Sequence, residues 1–265
     1  MDIMNIVIAA ALIGVIALAV GLLLGVAGKV FHVEVDEREV EVRAALPGNN
    51  CGGCGYPGCD GLAAAIVAGK ASVNACPVGG PAVAEAISAI MGVDAGAMER
   101  QVAFVKCGGT CDKAASVGNY FGVKDCYTAS LTPAKGGKGC THGCMGFGSC
   151  VTACPFDAIH VVNGVAVVDK EACKACGKCI DTCPKHLIEM VPYTATVAVA
   201  CSSPEKGKEV RLVCGAGCIG CGLCVKQCED GAITVTNNLA HIDQSKCSHC
   251  GKCVEKCPTK AIQML

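Results

Sequence analysis

Apolar residues run without a single charge from Ile6 to Ala27, a stretch of 22 positions that ends at Gly28-Lys29. As a helix this run is about 33 Å long, enough to cross a hydrocarbon core of roughly 30 Å. It lacks a basic leader, exceeds the usual apolar length of a signal peptide and is followed by no A-x-A site, so the pattern predicts a retained membrane helix. Behind it Val33, Val35, Val40 and Val42 lie among Glu34, Asp36, Glu37, Arg38 and Glu39, which predicts a short amphipathic or extended connector. Gly61 to Gly69 (GLAAAIVAG) and Ala82 to Met91 then read as short helices. Farther on the pattern turns strand-like. VAFVKC at 102–107 and VAVAC at 197–201 both end in cysteine, and each is followed by turn residues and a helix-like stretch. HVVNGVAVVD, from His160 to Asp169, predicts a hairpin around Asn163-Gly164. The segment TPAKGGKG at 132–139 has the composition of a linker.

Cysteine supplies the chemistry. The chain carries 25, and twenty fall into five groups of four. The first is Cys51-x2-Cys54-x4-Cys59-x16-Cys76-Pro77, set among closely spaced glycines that let backbone wrap around a bound body. Cys173-x2-Cys176-x2-Cys179-x3-Cys183-Pro184 and Cys247-x2-Cys250-x2-Cys253-x3-Cys257-Pro258 match the run of bacterial two-cluster ferredoxins, in which the fourth cysteine serves the other cluster. Cys218-x2-Cys221-x2-Cys224-x3-Cys228 keeps that spacing with Glu229 in place of proline, and Cys140-x3-Cys144-x5-Cys150-x3-Cys154-Pro155 is looser. Most of the array recurs with an offset of 74 residues, as from Cys154 to Cys228 and from Cys173 to Cys247.

Cross-ligation predicts one set of Cys140, Cys144, Cys150 and Cys183 beside a second of Cys173, Cys176, Cys179 and Cys154. In the later repeat the sets are Cys218, Cys221, Cys224 with Cys257, and Cys247, Cys250, Cys253 with Cys228. The apolar pairs Ala158-Ile159, Leu187-Ile188, Ala232-Ile233 and Ala261-Ile262 follow the fourth cysteines and suit a small core between clusters. Five [4Fe-4S] clusters are therefore expected. Zinc is the competing reading for any four cysteines, but its sites usually come as two separated CxxC knuckles. His142 and His249 lie inside the motifs and are alternative ligands, although every position already has its cysteine. Lys174, Lys178, Lys246 and Lys252 are either solvated surface charges or a greeting for an acidic partner.

Cys107, Cys111, Cys126, Cys201 and Cys214 stand outside these sets. If the strands at 102–107 and 197–201 pair side by side, Cys107, Cys126, Cys201 and Cys214 meet at one end of the sheet and hold a sixth cluster, with Cys111 as the alternative ligand. The competing reading is inert buried cysteine, common for this residue type.

Composition narrows the alternatives. Disulfides are disfavoured by the odd count and the tight spacing, which implies a reducing compartment. Tryptophan is absent and aromatics make up 3 % of the chain, so small cores need the staples that clusters provide. The net charge of −1, with no like-charge block, gives no nucleic-acid footprint. Gly215-x-Gly217-x-x-Gly220 fits the dinucleotide fingerprint formally, but Cys218 lies inside it and no strand-loop-helix frame surrounds it. No catalytic residue is expected.

The predicted class is α+β: an N-terminal transmembrane helix, a small four-cysteine [4Fe-4S] domain and two ferredoxin-like modules. The boundaries are 1–28 for the anchor, 29–47 for the connector, 48–92 for the first cluster domain and 93–139 for a linking domain. Module 1 spans 140–190, a strand-turn-helix segment 191–217 and module 2 218–265. This order of anchor, glycine-rich cysteine loop and paired ferredoxin motifs resembles the B subunit of Rnf complexes over essentially the whole chain. The resemblance implies a component of an ion-translocating ferredoxin:NAD+ oxidoreductase that accepts electrons from soluble ferredoxin and passes them to membrane and flavin subunits, coupled to Na+ or H+ transport. Residues 6–27 would sit in the cell (inner) membrane as a single pass. Asp2 before the helix and Lys29, Arg38 and Arg43 after it place the soluble part on the cytoplasmic side by the positive-inside rule. The alternative is a membrane-tethered polyferredoxin of a hydrogenase or another reductase, without ion pumping. A corrinoid-linked or zinc-structural scaffold would be a third reading.

Overall fold

The computed structural model describes residues 3–30, 36–133 and 135–265. Asp2, Glu34, Val33, Val35 and Ala134 lie outside the described residues. The apolar run forms helix α1 (Ile3–Val30). None of its window Ala11–Val30, with a mean hydropathy of 2.6, is buried against the rest of the chain. Leu12, Ile13, Ile16, Leu18, Leu22, Leu23 and Leu24 all stay exposed, as expected of a helix whose solvent is lipid.

The charged segment behind it is more than a connector. Asp36 caps helix α2 (Glu37–Ala45) by accepting a hydrogen bond from the Arg38 amide, and Glu37 and Glu39 suit the positive end of the helix dipole. Val42 and Leu46 are buried against helix α3 (Gly58–Val67) and helix α4 (Gly80–Met91), in one core with Leu62, Ile66 and Ile87. An Arg43–Asp60 ion pair at 2.6 Å ties α2 to α3. Helix α2, which lies before the expected boundary at residue 47, packs with α3 and α4 in one three-helix unit, because Val42 and Leu46 find an apolar face to cover while Val40 stays exposed.

Strand β1 (Gln101–Val105) and the short helix α5 (Cys126–Ser130) precede the first ferredoxin-like unit. That unit consists of α6 (Ser149–Thr152), β2 (Ile159–Val162), β3 (Val165–Val168), α7 (Lys178–Thr182) and β4 (Ile188–Pro192). Strand β5 (Val197–Val199) and helix α8 (Gly207–Val213) precede the second, built from α9 (Leu223–Gln227), β6 (Ile233–Thr236), β7 (Leu239–Ile242), α10 (Lys252–Lys256) and β8 (Ile262–Met264). The predicted hairpin at Asn163-Gly164 is present, with both residues at positive φ, and Asn237-Asn238 repeats it between β6 and β7. All four predicted apolar pairs after the fourth cysteines are buried.

The expected pairing of the strands at 102–107 and 197–201 is corrected. β1 lies antiparallel to β4, with Val102 opposite Val191, and β5 lies antiparallel to β8, with Ala198 opposite Gln263. Each strand closes its own unit because the apolar face it covers, Ile188 and Val191 or Ile262, belongs to that unit. The ends of β1 and β5 still meet: the Gly108 amide donates to the Ala200 carbonyl at 2.8 Å. The linker-like stretch at 132–139 is likewise paired, with Val117 N–H donating to Gly137 C=O at 2.9 Å and Gly139 N–H to Ala115 C=O at 2.7 Å.

Two glycines at the same backbone angle separate conformation from contact. Gly220 (φ +63°) and Gly231 (φ +64°) both sit in the left-handed region, but a Cβ on Gly220 would lie 2.8 Å from the Asn238 carbonyl oxygen while one on Gly231 meets nothing. Gly231→Ala should cost about 1 kcal/mol. Gly220→Ala should cost clearly more, because the β6–β7 turn must also move. Thermal unfolding of the two variants checks this, and equal shifts would contradict it.

Candidate metal centres

One loop conformation recurs four times and fixes where the thiols point. The residue two after the first cysteine has positive φ in every copy: Gly146, Ala175, Gly220 and His249. The glycine two before the third cysteine is left-handed and opens the short helix carrying that cysteine: Gly148 before Cys150, Gly177 before Cys179, Gly222 before Cys224 and Gly251 before Cys253. Three residues past the fourth cysteine the φ is again positive, at Asp157, His186, Gly231 and Lys260. There the chain doubles back so that amides reach sulfur. Ala158 N–H donates to Cys154 Sγ at 3.4 Å, Leu187 N–H to Cys183 Sγ at 3.5 Å and Ala261 N–H to Cys257 Sγ at 3.3 Å.

The register of the first copy explains a difference from the expected sets. Gly146 and Gly148 place Cys144 at the start of that loop, so Phe147 stands where the second cysteine belongs. Helix α5 delivers Cys126 to this gap. Ser149 Oγ accepts from the Cys126 amide and donates to Asp125 Oδ1, both at 2.8 Å, and Asp125 caps α5 at the Thr128 amide. Cys126, Cys144, Cys150 and Cys183 line one apolar cavity with Val105, Met145, Ala166 and Ile188.

Cys140 is therefore not in the place expected for it. It faces Cys107, Cys201 and Cys214 across a different cavity, while Cys126 is absent from that group. The signal was present in the sequence. Cys144, Phe147, Cys150 and Cys154 lie 74 residues before Cys218, Cys221, Cys224 and Cys228, and Cys140 lies 74 before Cys214.

The thiols of the other expected sets lie near one another. Cys218, Cys221, Cys224 and Cys257 line one cavity with Leu223, Val235, Ala240 and Ile262. Cys154 and Cys173 stand with Cys176 around Cys179, and Cys228 with Cys247 and Cys250 around Cys253, close enough to perturb the central thiol. Cys54, Cys59 and Cys76 share the core of the first unit, where the Cys59 amide donates to Asn50 Oδ1 at 2.8 Å. Cys51 opens that loop and lies near Cys176.

Burial pushes the Cys150 thiol up to about 12, with Cys144, Cys126 and Cys183 adding repulsion. Burial likewise pushes Cys179 and Cys224 up to about 11. Left alone these thiols stay protonated at neutral pH, and only a cationic centre reverses that preference, with release of protons. His142 turns toward Glu205 at 3.4 Å, while Lys246 pairs with Asp243 at 3.2 Å and Lys252 with Glu229 at 2.6 Å. Cys111 is exposed, and its amide is held by the Asn163 carbonyl at 2.9 Å, away from every ring.

Thiol rings fed by backbone amides in paired ferredoxin loops define an iron–sulfur protein with an N-terminal helix long enough to span a membrane. Residues 46–78 match the putative Fe-S cluster family, 149–194 the LdpA Fe-S cluster-binding domain and 217–261 the 4Fe-4S dicluster domain. The chain is 49 % identical over 237 residues, covering 89 % of it and 71 % of the relative, to the B subunit of the Na(+)-translocating ferredoxin:NAD(+) oxidoreductase complex of Acetobacterium woodii. It is 44 % identical over 247 residues, covering 93 % of each chain, to the B subunit of the ion-translocating oxidoreductase complex of Methanosarcina acetivorans. A third relative, the B subunit of the proton-translocating ferredoxin:NAD(+) oxidoreductase complex of Clostridium ljungdahlii, is 42 % identical over 236 residues, 88 % of this chain and 83 % of that one. The chain therefore belongs to the family formed by the B subunits of ion-translocating (Rnf) oxidoreductase complexes.

Ser149→Ala removes both hydrogen bonds that seat Cys126. A loss of about 1–2 kcal/mol is expected, read as a lowered unfolding temperature of the iron-loaded protein. Ser149→Thr keeps the hydroxyl and should retain most of the stability. An unchanged Ser149→Ala would show that Cys126 is seated by other contacts.

Proposed function

We propose that this chain is the electron-carrying subunit of an ion-translocating complex, accepting electrons from reduced soluble ferredoxin and passing them toward membrane clusters, flavin-bearing subunits and NAD+. The flow drives transport of Na+ or H+. A bound [4Fe-4S] cluster accepts and releases one electron, at a potential tuned by hydrogen bonds to its sulfurs and by exposure.

The observation that supports this reading is the succession of thiol rings along the chain behind α1. The first unit follows α1 directly, and its Gly53 is pressed on the first ferredoxin-like unit: a Cβ there would lie 2.5 Å from the Cys176 carbonyl oxygen. At the far end Cys221 and Cys250 are exposed, whereas the corresponding Cys176 is half-buried beneath the first unit. The second ferredoxin-like unit therefore offers its rings to a soluble donor, and the first unit faces the anchor. Lys29 in the last turn of α1 and Arg38 and Arg43 beyond it favour the cytoplasmic side, where reduced ferredoxin is available.

In the assembled complex, Cys51→Ala should lower ferredoxin-dependent NAD+ reduction about tenfold or more, a rise of about 1.4 kcal/mol in the barrier. Gly53→Ala keeps all its cysteines and should slow the same flow while iron content stays full. Undiminished electron flow in Cys51→Ala would remove the first unit from the path.

A further inference from the structure

We propose that Cys107, Cys140, Cys201 and Cys214 hold a further [4Fe-4S] cluster at the joint between the two ferredoxin-like units, and that Cys126 completes the neighbouring ring in place of Cys140. The observation is the largely apolar cavity that these four thiols share with Ala114, Ala200, Val210, Val213 and Ala216.

The four cysteines arrive as two equivalent pairs. Cys107 and Cys201 each lie two residues past the strand that closes their unit, β1 or β5. Cys140 and Cys214 each lie four residues before the first cysteine of a ferredoxin loop, Cys144 or Cys218. Backbone hydrogen bonds and one from a serine side chain clamp both pairs between the units. Gly108 N–H to Ala200 C=O at 2.8 Å and Ser202 Oγ to Lys106 C=O at 3.0 Å bring Cys107 to Cys201. Ala115 N–H donates to Val213 C=O at 2.9 Å and Gly215 N–H to Lys113 C=O at 2.7 Å, while Gly139 pairs with Ala115, so Cys140 is brought to Cys214.

The donor set fits an anionic cluster rather than four inert thiols. Cys144 N–H donates to Cys107 Sγ at 3.3 Å, and the amides of Ser203 and Cys218 point at Cys201. The amides of His142 and Gly143 serve Cys140 in the same way. Gly109 and Gly143 leave room at the sulfurs: a Cβ on Gly109 would stand 3.3 Å from Cys214 Sγ, and one on Gly143 would stand 3.4 Å from the sulfurs of Cys107 and Cys140. Two of these donors, Cys144 and Cys218, belong to the rings on either side. The joint is thus one hydrogen bond from each flanking ring. An electron received from one reduced neighbour is handed to the other, and the joint returns to its starting charge.

This rests on the electron-carrying reading, but iron counting tests it without any donor or acceptor. The full chain, purified in detergent, should hold about 24 irons at four per cluster, and about 20 would overturn the sixth site. Cys201→Ala/Cys214→Ala should lose about four irons. Adding Cys140→Ala to that pair should cost no more, whereas a second loss of about four would return Cys140 to the neighbouring ring and overturn the assignment. Adding Cys126→Ala instead should take about four more, and no further loss would overturn the role of Cys126. If the paired variant does not fold, the native mass of the unmodified chain, with its bound iron and sulfide, decides between five and six clusters.

Discussion

Four sulfur-bearing side chains can surround one body only if the backbone between them turns tightly, and in this chain the turns rest on residues held at positive φ. Glycine adopts that angle freely, but Ala175, His186, His249, Asp157 and Lys260 adopt it at a cost of about 1–2 kcal/mol each. At Asp157, His186 and Lys260 the turn is held by the return: the following amides point at the sulfurs of Cys154, Cys183 and Cys257, while the His249 amide donates to Cys247 Sγ. The cores beneath are built from pairs such as Ala158-Ile159 and Ala261-Ile262, too small to organise a fold of this length alone. The thiol rings act as the staples of the structure and as its working parts.

Much of this was legible in the amino-acid order. The membrane helix, the helices of the first unit, the hairpin at Asn163-Gly164 and the cross-linked pattern of fourth cysteines all follow from local signals of period, spacing and turn chemistry. The errors came where contacts are long-range. The segment carrying Val42 and Leu46 looks like a connector until α3 and α4 supply the face that these two residues cover. The stretch at 132–139 has a linker's composition, yet its backbone pairs with residues 115–117.

Cys140 shows the limit of reading motifs by proximity. Standing four residues before Cys144, it looks like the first member of a loosened loop. Backbone angles say otherwise, since Gly146 and Gly148 place the loop's start at Cys144 and leave Phe147 in a cysteine's position. The cysteine that fills the gap comes from 21 residues upstream of Phe147, held through Ser149. Nothing local to Cys126 announces that partnership, and only a strict comparison at the 74-residue offset would have exposed the empty position.

The capture of Cys126 by a loop that follows it in the chain also orders events during synthesis. The cysteines of the first unit are all translated by residue 76, so that unit has every thiol it needs before the middle of the chain exists. Cys107 and Cys126 emerge next and have no ring to join. Cys126 waits for Cys183, and Cys107 waits until Cys214 has left the ribosome. A nascent chain therefore displays unshared thiols from the synthesis of Cys107 until that of Cys214, the interval in which protection from oxidation matters most.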